Sequence, residues 1–267
     1  MTGPWSWYYR ERVTPNIGIL TEDQQGILLD SCVGIAGCGA IGGHSASELT
    51  YWGIGSLKLA DFDVFETSNA NRQLFSGFSN VGKEKVDVVA VNVQDIEPGI
   101  KLKLYPQGIT FENVDDFVCG CNAVIDAIDY EKPQFSIALH RAARKAGIPV
   151  FVSQCIGYGA SVFAFYPETE SYEEFLGIDP STPIANIDFG QIDLLKLCPI
   201  VPDYIDQEIL RKVLAGEMEA PTVISGQTFA VGLTVSNLVM QIVDQNRPRL
   251  RMCAFDPFKG QYKENRY

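Results

Sequence analysis

The chemistry in this sequence starts with Gly37-Cys38-Gly39-Ala40-Ile41-Gly42, which follows an apolar run at Cys32–Ala36. Glycines between a strand and a helix let the chain turn tightly and let its backbone come close to a phosphate resting on the helix N-terminus. Asp61 lies 19 residues beyond Gly42, at the end of the next apolar run. A carboxylate at that distance can accept both hydroxyls of a ribose. These residues suit NAD, FAD or ATP equally well.

The stretch after Asp61 favours a triphosphate. Asp61-Phe62-Asp63 leads into Ser68-Asn69-Ala70-Asn71-Arg72-Gln73. Arg72 can grip phosphate oxygens with its planar fork, and Asn69 and Gln73 can add neutral hydrogen bonds. Lys85, in Gly82-Lys83-Glu84-Lys85, brings a compact positive charge to the start of a helix. Asp126-Ala127-Ile128-Asp129 closes a further strand. Carboxyl ends of strands are where open sheets bind ligands, and a carboxylate there can hold Mg²⁺ against phosphates.

Elements of alternating type must position these residues. Strands are expected at Cys32–Ala36, Leu57–Asp61, Lys101–Tyr105, Ala123–Ala127, Pro149–Ser153 and Ser161–Tyr166. Helices are expected at about 21–30, 41–52, 83–96 and 133–146. That alternation predicts an α/β fold with a doubly wound, mostly parallel Rossmann-like sheet. Residues 1–30 read as an irregular aromatic segment plus a helix, and 31–166 as the nucleotide-binding core. Residues 167–203, rich in Pro, Asp and Gly, read as a long crossover excursion; 204–267 read as helices at about 204–215 and 226–244 and a closing hairpin at Met252–Tyr262. A single domain over 1–267 accommodates all of this.

Composition removes other classes. The net charge is −12, and the longest basic run is the short Arg247–Arg251, so a nucleic-acid partner is disfavoured. The seven cysteines include no Cys-x-x-Cys pair, and with two histidines no zinc site is expected. No signal peptide opens the chain, which with unpaired thiols suits the cytoplasm. Ala220–Val243 carries no charged residue, but its polar interruptions mark a buried helix and not a membrane span. His44 and His140, on predicted helices, are expected to be structural.

In this order, Gly-x-Gly-x-x-Gly, Asp-x-Asp, Ser-Asn-x-Asn-Arg-Gln, Gly-Lys-x-Lys and Asp-x-x-Asp resemble the adenylation domain of the ThiF/MoeB/HesA family, from about Cys32 to Pro167. The resemblance implies an ATP-dependent adenylyltransferase that activates the carboxylate of a peptide or small protein, such as a ubiquitin-like or sulfur-carrier protein or a ribosomal precursor peptide. It implies that Gly37, Gly39, Ala40, Ile41, Gly42, Asp61, Asp63, Asn69, Arg72, Gln73, Lys85 and Asp129 bind ATP, that Asp129 is the Mg²⁺ ligand, and that Arg72 and Lys85 act in catalysis. It also implies a homodimer in which an N-terminal arginine reaches the partner's nucleotide. Proline at position 15 stands where relatives often carry that arginine, which leaves Arg10 or Arg12 for the role. Ala40 and Tyr130 also depart from the usual pattern, and Cys198 lies in the region where some relatives carry a nucleophilic cysteine. Two other readings compete: an NAD- or FAD-dependent oxidoreductase, and a non-catalytic scaffold partner of an activating enzyme.

Overall fold

A computed structural model describes residues 5–267; residues 1–4 of the expected N-terminal segment lie outside it. One sheet organises the chain. Its strands are β1 (Cys32–Ala36), β2 (Ser56–Ala60), β3 (Lys101–Tyr105), β4 (Ala123–Asp126), β5 (Val150–Ile156), β6 (Gly159–Phe165), β7 (Leu250–Asp256) and β8 (Gln261–Arg266). Their order is β3-β2-β1-β4-β5-β6-β7-β8. The first five are parallel, and β6, β7 and β8 continue the sheet antiparallel. The sheet is thus Rossmann-like where the ligand motifs lie and hairpin-like beyond them.

Burial on both faces explains the near-continuous apolar strands. On one face Val33, Ile35, Leu57, Leu59, Ile125 and Phe151 pack with helices α2 (Glu22–Leu29), α3 (Ala40–Trp52), α4 (Lys85–Ile96) and α9 (Ile224–Val243). On the other, Ala36, Val124 and Val150 meet α5 (Val114–Val118) and α6 (Pro133–Lys145). Thr21 and Gln24 form a capping box that starts α2 where Thr-Glu-Asp suggested a helix.

Four features differ from expectation. The aromatic segment contains a helix, α1 (Trp7–Val13), whose Tyr9 and Val13 are buried. Helix α5 was not foreseen. The crossover is ordered: α7 (Tyr172–Leu176) and three short 3₁₀ turns bury Ile178, Ile187 and Leu197 against α6, β5 and β6. Between the crossover and α9 lies α8 (Gln207–Leu214), and the closing hairpin is wider than expected. The uncharged α9 is long and apolar enough to cross a membrane, with a mean hydropathy of 1.2, and half of it is buried inside the molecule. Ala230, Val231, Val235, Leu238 and Val239 turn inward against α3 and the sheet, while Ile224 and Phe229 stay exposed, so the helix expected to be buried is covered on one face.

Candidate active site

A cleft of about 540 Å³ opens at the carboxyl ends of β1, β2, β4 and β5. The glycine loop forms its floor. Gly37 has φ +97°, and a Cβ there would lie 2.3 Å from the carbonyl oxygen of Ala127. A Cβ on Gly42 would lie 1.7 Å from the carbonyl of Gly37. Both positions therefore need glycine, one to turn and one to let α3 pack on the loop. Gly39 is the N-cap of α3 and supplies no side-chain cap. First-turn N–H groups of α3 consequently face the cleft with the positive end of the helix dipole. Ala40 and Ile41 line the cleft beside it.

Asp61 is buried, and its carboxylate accepts from Cys38 N at 2.5 Å and Asp63 N at 2.8 Å. Burial pushes its pKa above the usual carboxylate range; those two N–H groups and Lys85 oppose the shift. Asp63 stands between loop and helix. Its carbonyl accepts from Lys85 N, and its Oδ2 lies 3.1 Å from Lys85 Nζ. Lys85 is almost completely buried at the first turn of α4, so its ammonium is held in place by this pair.

The polar loop folds into a 3₁₀ turn at Thr67–Asn71. Asn69 is buried, and its side chain accepts from Glu66 N, which closes the turn. Arg72 follows, with its guanidinium donating to Ser68 O and Asn71 Oδ1, both at 2.9 Å. Arg72 and Gln73 both line the cleft, and the Gln73 amide stands over Gly39. Asp129 is open to the cleft. Loss of solvent raises its pKa, Lys85 and Lys132 pull it down, and Asp63 and Glu219 push it up. Beneath it Asp126 accepts from Ile128 N, and Ser136 and the His140 ring reach the same carboxylate from α6. Asp126 and His140 are both buried, so His140 braces the loop that ends in Asp129, consistent with a structural role.

Every expected nucleotide residue except Gly42 lines this one cleft; Gly42 shapes the loop behind it. The two N-terminal arginines do not. Arg12 is committed to Glu97 at 2.9 Å and to the carbonyls of Thr50 and Tyr51, at the far end of α3. Arg10 lies over the Trp5 ring. Cys198 is also outside the cleft lining, and burial pushes its thiol up to about 11, the wrong direction for a thiolate.

Sequence reasoning missed several lining residues. Lys132 stands over the Phe62 ring at 4.4 Å, and Ile109 and Phe135 give that end an apolar wall. Ser153, Gln154 and Cys155 come from the second half of β5, and Gln227 from the first turn of α9. Residues 219–222 cross the mouth: Ala220 N donates to Tyr130 Oη, Thr222 O accepts from Asn71, and Thr222 bridges to Gly157. The rule that ligands sit at strand carboxyl ends could have drawn attention to the end of the strand expected at Pro149–Ser153, and the polar Gln227 in an apolar helix was the other available signal.

Comparison with known proteins agrees with this arrangement. The ThiF family model matches residues 12–267, well beyond the segment 32–167 that carries the motifs. A SAMP-activating enzyme E1 from Haloferax volcanii is 27% identical over 213 residues, 80% of this chain and 77% of its own. A tRNA threonylcarbamoyladenosine dehydratase from Bacillus subtilis is 35% identical over 129 residues, 47% of this chain and 49% of its own. Escherichia coli MccB, solved with ATP, superposes with a TM-score of 0.69 at 19% identity, over 91% of this chain and 65% of its own, a likeness of fold. The chain spans 24% to 53% of the length of four of the curated relatives it matches. With the glycine loop, Asp61 and the polar loop around one cleft, and a family match over nearly all its length, this chain belongs to the ThiF family.

Proposed function

We propose that this chain adenylates the carboxylate of a peptide or small protein, consuming ATP and releasing pyrophosphate. The observation that carries the reading is the convergence of Asp61, Arg72, Gln73, Lys85 and Asp129 with the glycine loop on a single cleft. Asp61 receives the ribose hydroxyls, and Phe62, Ile109 and Phe135 offer the base an apolar wall. The phosphates run over the glycine loop toward Arg72 and Lys85. A substrate carboxylate oxygen attacks the α-phosphorus, the bond to the bridging oxygen breaks, and pyrophosphate leaves with the electron pair. The chain supplies position and fixed positive charge for this displacement. It supplies no covalent nucleophile.

Asp129 suits Mg²⁺, because a divalent cation at its carboxylate would offset the loss of solvent and the nearby charges of Asp63 and Glu219. Magnesium takes one or two carboxylates and completes its shell with phosphate oxygens and water, so Asp129 is sufficient from the protein side. Bound there, the ion would neutralise phosphate charge.

Relatives named for a SAMP activator and for peptide-bound MccB favour a protein or peptide substrate. Family membership argues against the oxidoreductase reading. The presence of Arg72, Lys85 and Asp129 argues against a non-catalytic scaffold. The likeness to tRNA threonylcarbamoyladenosine dehydratases favours a second reading, activation of a carboxylate on a modified tRNA base, and the charge of −12 weighs against it. ATP–pyrophosphate exchange separates them. Exchange should appear with peptides or carrier proteins, not with tRNA, and should vanish in Asp129→Ala and Arg72→Ala while both variants stay folded. Near-normal exchange in both would remove the cleft as the adenylation site.

A further inference from the structure

Two thiols meet at the end of the sheet opposite the cleft. Cys32 opens β1, and Cys121 immediately precedes Asn122, which lies beside Cys32. Asn122 N donates to Cys32 O at 2.7 Å, and Cys32 N donates to Asn122 Oδ1 at 2.9 Å. From there β1 and β4 run parallel, with Val33 opposite Ala123. Cys121 Sγ tucks against β1, 3.3 Å from where a Cβ on Gly34 would stand, so the glycine leaves room for this sulfur. Cys121 is buried in the apolar cluster that the sheet shares with α5 and α6, and Cys32 packs against the same cluster while staying partly exposed.

The pair is asymmetric. The Cys121 thiol donates to the Cys32 sulfur, and that hydrogen bond together with the Lys58 ammonium holds the Cys32 thiol below its ordinary pKa. Lys58 is fixed in place, with Nζ donating to the carbonyls of Asp116 at 2.9 Å and Cys119 at 2.6 Å. Cys121 is shifted upward by the same hydrogen bond and by burial. Burial pushes the thiols of Cys155, Cys198 and Cys253 up to about 11. One sulfur of the pair is thus accessible and inclined to ionise, and the other is buried and keeps its proton. Thiolate character and exposure decide which cysteine is oxidised first, and a second cysteine in contact resolves the product as a disulfide.

We propose that Cys32 and Cys121 are a redox pair, which peroxide converts into a disulfide that strengthens the fold. The Cys32 thiolate attacks one peroxide oxygen, the O–O bond breaks, and the departing hydroxide takes up the thiol proton and leaves as water. Cys32 then carries a sulfenic acid. The Cys121 sulfur attacks the Cys32 sulfur, the S–O bond breaks, and the hydroxide leaves as a second water with the Cys121 proton. The pair of thiols gives up two electrons and two protons, and one hydrogen peroxide becomes two waters.

The reach suits the bond. Neighbouring strands lie about 4.8 Å apart and one residue adds about 3.3 Å along a strand, so an offset of one residue sets Cα atoms about 6 Å apart. Disulfides bridge Cα atoms about 4.4–6.8 Å apart. The backbone at this end is already paired, so the bond asks for no movement of the glycine loop or of Asp129 at the other ends of the strands. Its effect falls on stability, because it closes the long loop from 32 to 121 in the unfolded chain. The inference stands apart from the adenylation reading.

The test uses the full chain, reduced and then treated with hydrogen peroxide. Mass spectrometry should show the loss of two hydrogens per chain and a crosslinked pair of peptides containing Cys32 and Cys121, reversed by dithiothreitol. Tm should rise by several degrees on oxidation and fall back on reduction. Cys121→Ser should leave Cys32 as a sulfenic acid that dimedone traps. Cys32→Ser should prevent both the crosslink and the rise in Tm, and Cys119→Ser should change neither. The crosslink in the unaltered chain needs no variant, so a folding failure in one of them cannot hide the outcome. A disulfide through Cys119, a crosslink that survives Cys32→Ser, dimedone on another cysteine ahead of Cys32, or a crosslink without a gain in Tm would each overturn the proposal.

Discussion

At the scale of single residues, the electrostatics of Asp61 give two expectations. Asp61→Ala should weaken ATP binding by about 1–3 kcal/mol, the range for hydrogen bonds to a charged acceptor, as read by calorimetry; unchanged affinity would remove the ribose assignment. Without nucleotide, Asp61 also works against folding. Its pKa in the folded chain is raised, so the folded state binds the proton more tightly than the unfolded chain does. Stability then falls as pH rises from the ordinary carboxylate range through the raised value. Asp61→Asn should therefore raise Tm at neutral pH, and the gain should shrink as the buffer is taken below the ordinary carboxylate range. A gain that does not depend on pH would assign the effect to something other than ionisation. Gly37, Asp61, Arg72, Lys85 and Asp129 were legible in the sequence because each sits in a short motif whose spacing carries its geometry. Ser153, Lys132 and Gln227 were not, because they reach the cleft through strand order and helix packing, which local spacing does not encode.

At the scale of elements, legibility followed periodicity and length. The strands of the parallel half read directly as apolar runs, and α3, α4 and α6 read from their flanking turns. Helix α1 escaped because seven residues with two buried positions give too little period, and its aromatic composition points elsewhere. Helix α9 read well, but its start did not, and that start holds the tightest junction with β5. Gly226→Ala would set a Cβ 2.4 Å from Gly157 O and 2.5 Å from Cys155 Sγ. Overpacking of this kind costs about 1–3 kcal/mol, which urea unfolding would register as a lower midpoint at constant slope. If the midpoint does not fall, α9 is free to shift away from β5. Arg12→Ala should be destabilising for a different reason: it leaves the buried Glu97 carboxylate without its guanidinium, and exchange with a saturating substrate should change less than stability.

At the scale of the whole molecule, assembly is the open expectation. The resemblance implies a homodimer, and an uncharged helix such as α9 adds a physical motive, because its apolar surface needs cover. Helix α3 and the sheet of the same chain bury half of that helix, which leaves its outer face and the missing arginine of the site as motives. The resemblance leaves Arg10 or Arg12 to supply that arginine from the partner subunit, and because removing Arg12 would also break its ion pair with Glu97, the test is made at Arg10. Mixing Asp129→Ala with Arg10→Ala subunits should restore partial exchange, since one of the two sites is then whole. A monomeric mass by light scattering at micromolar concentration, or no rescue despite subunit exchange, would end that proposal.

The contact between Gly37 and Ala127 has a mechanical consequence. The loop after β1 and the loop after β4 touch backbone to backbone, with no side chain between them to compress or swing. The glycine loop and the wall that carries Asp129 are thus joined through their backbones. On the proposed function, motion that admits a peptide would fall on the opposite wall, where residues 219–222 are held across the mouth by two hydrogen bonds and one bridge. A change of substrate would then be met by residues 219–222 without disturbing the two loops that, on the same proposal, hold the nucleotide.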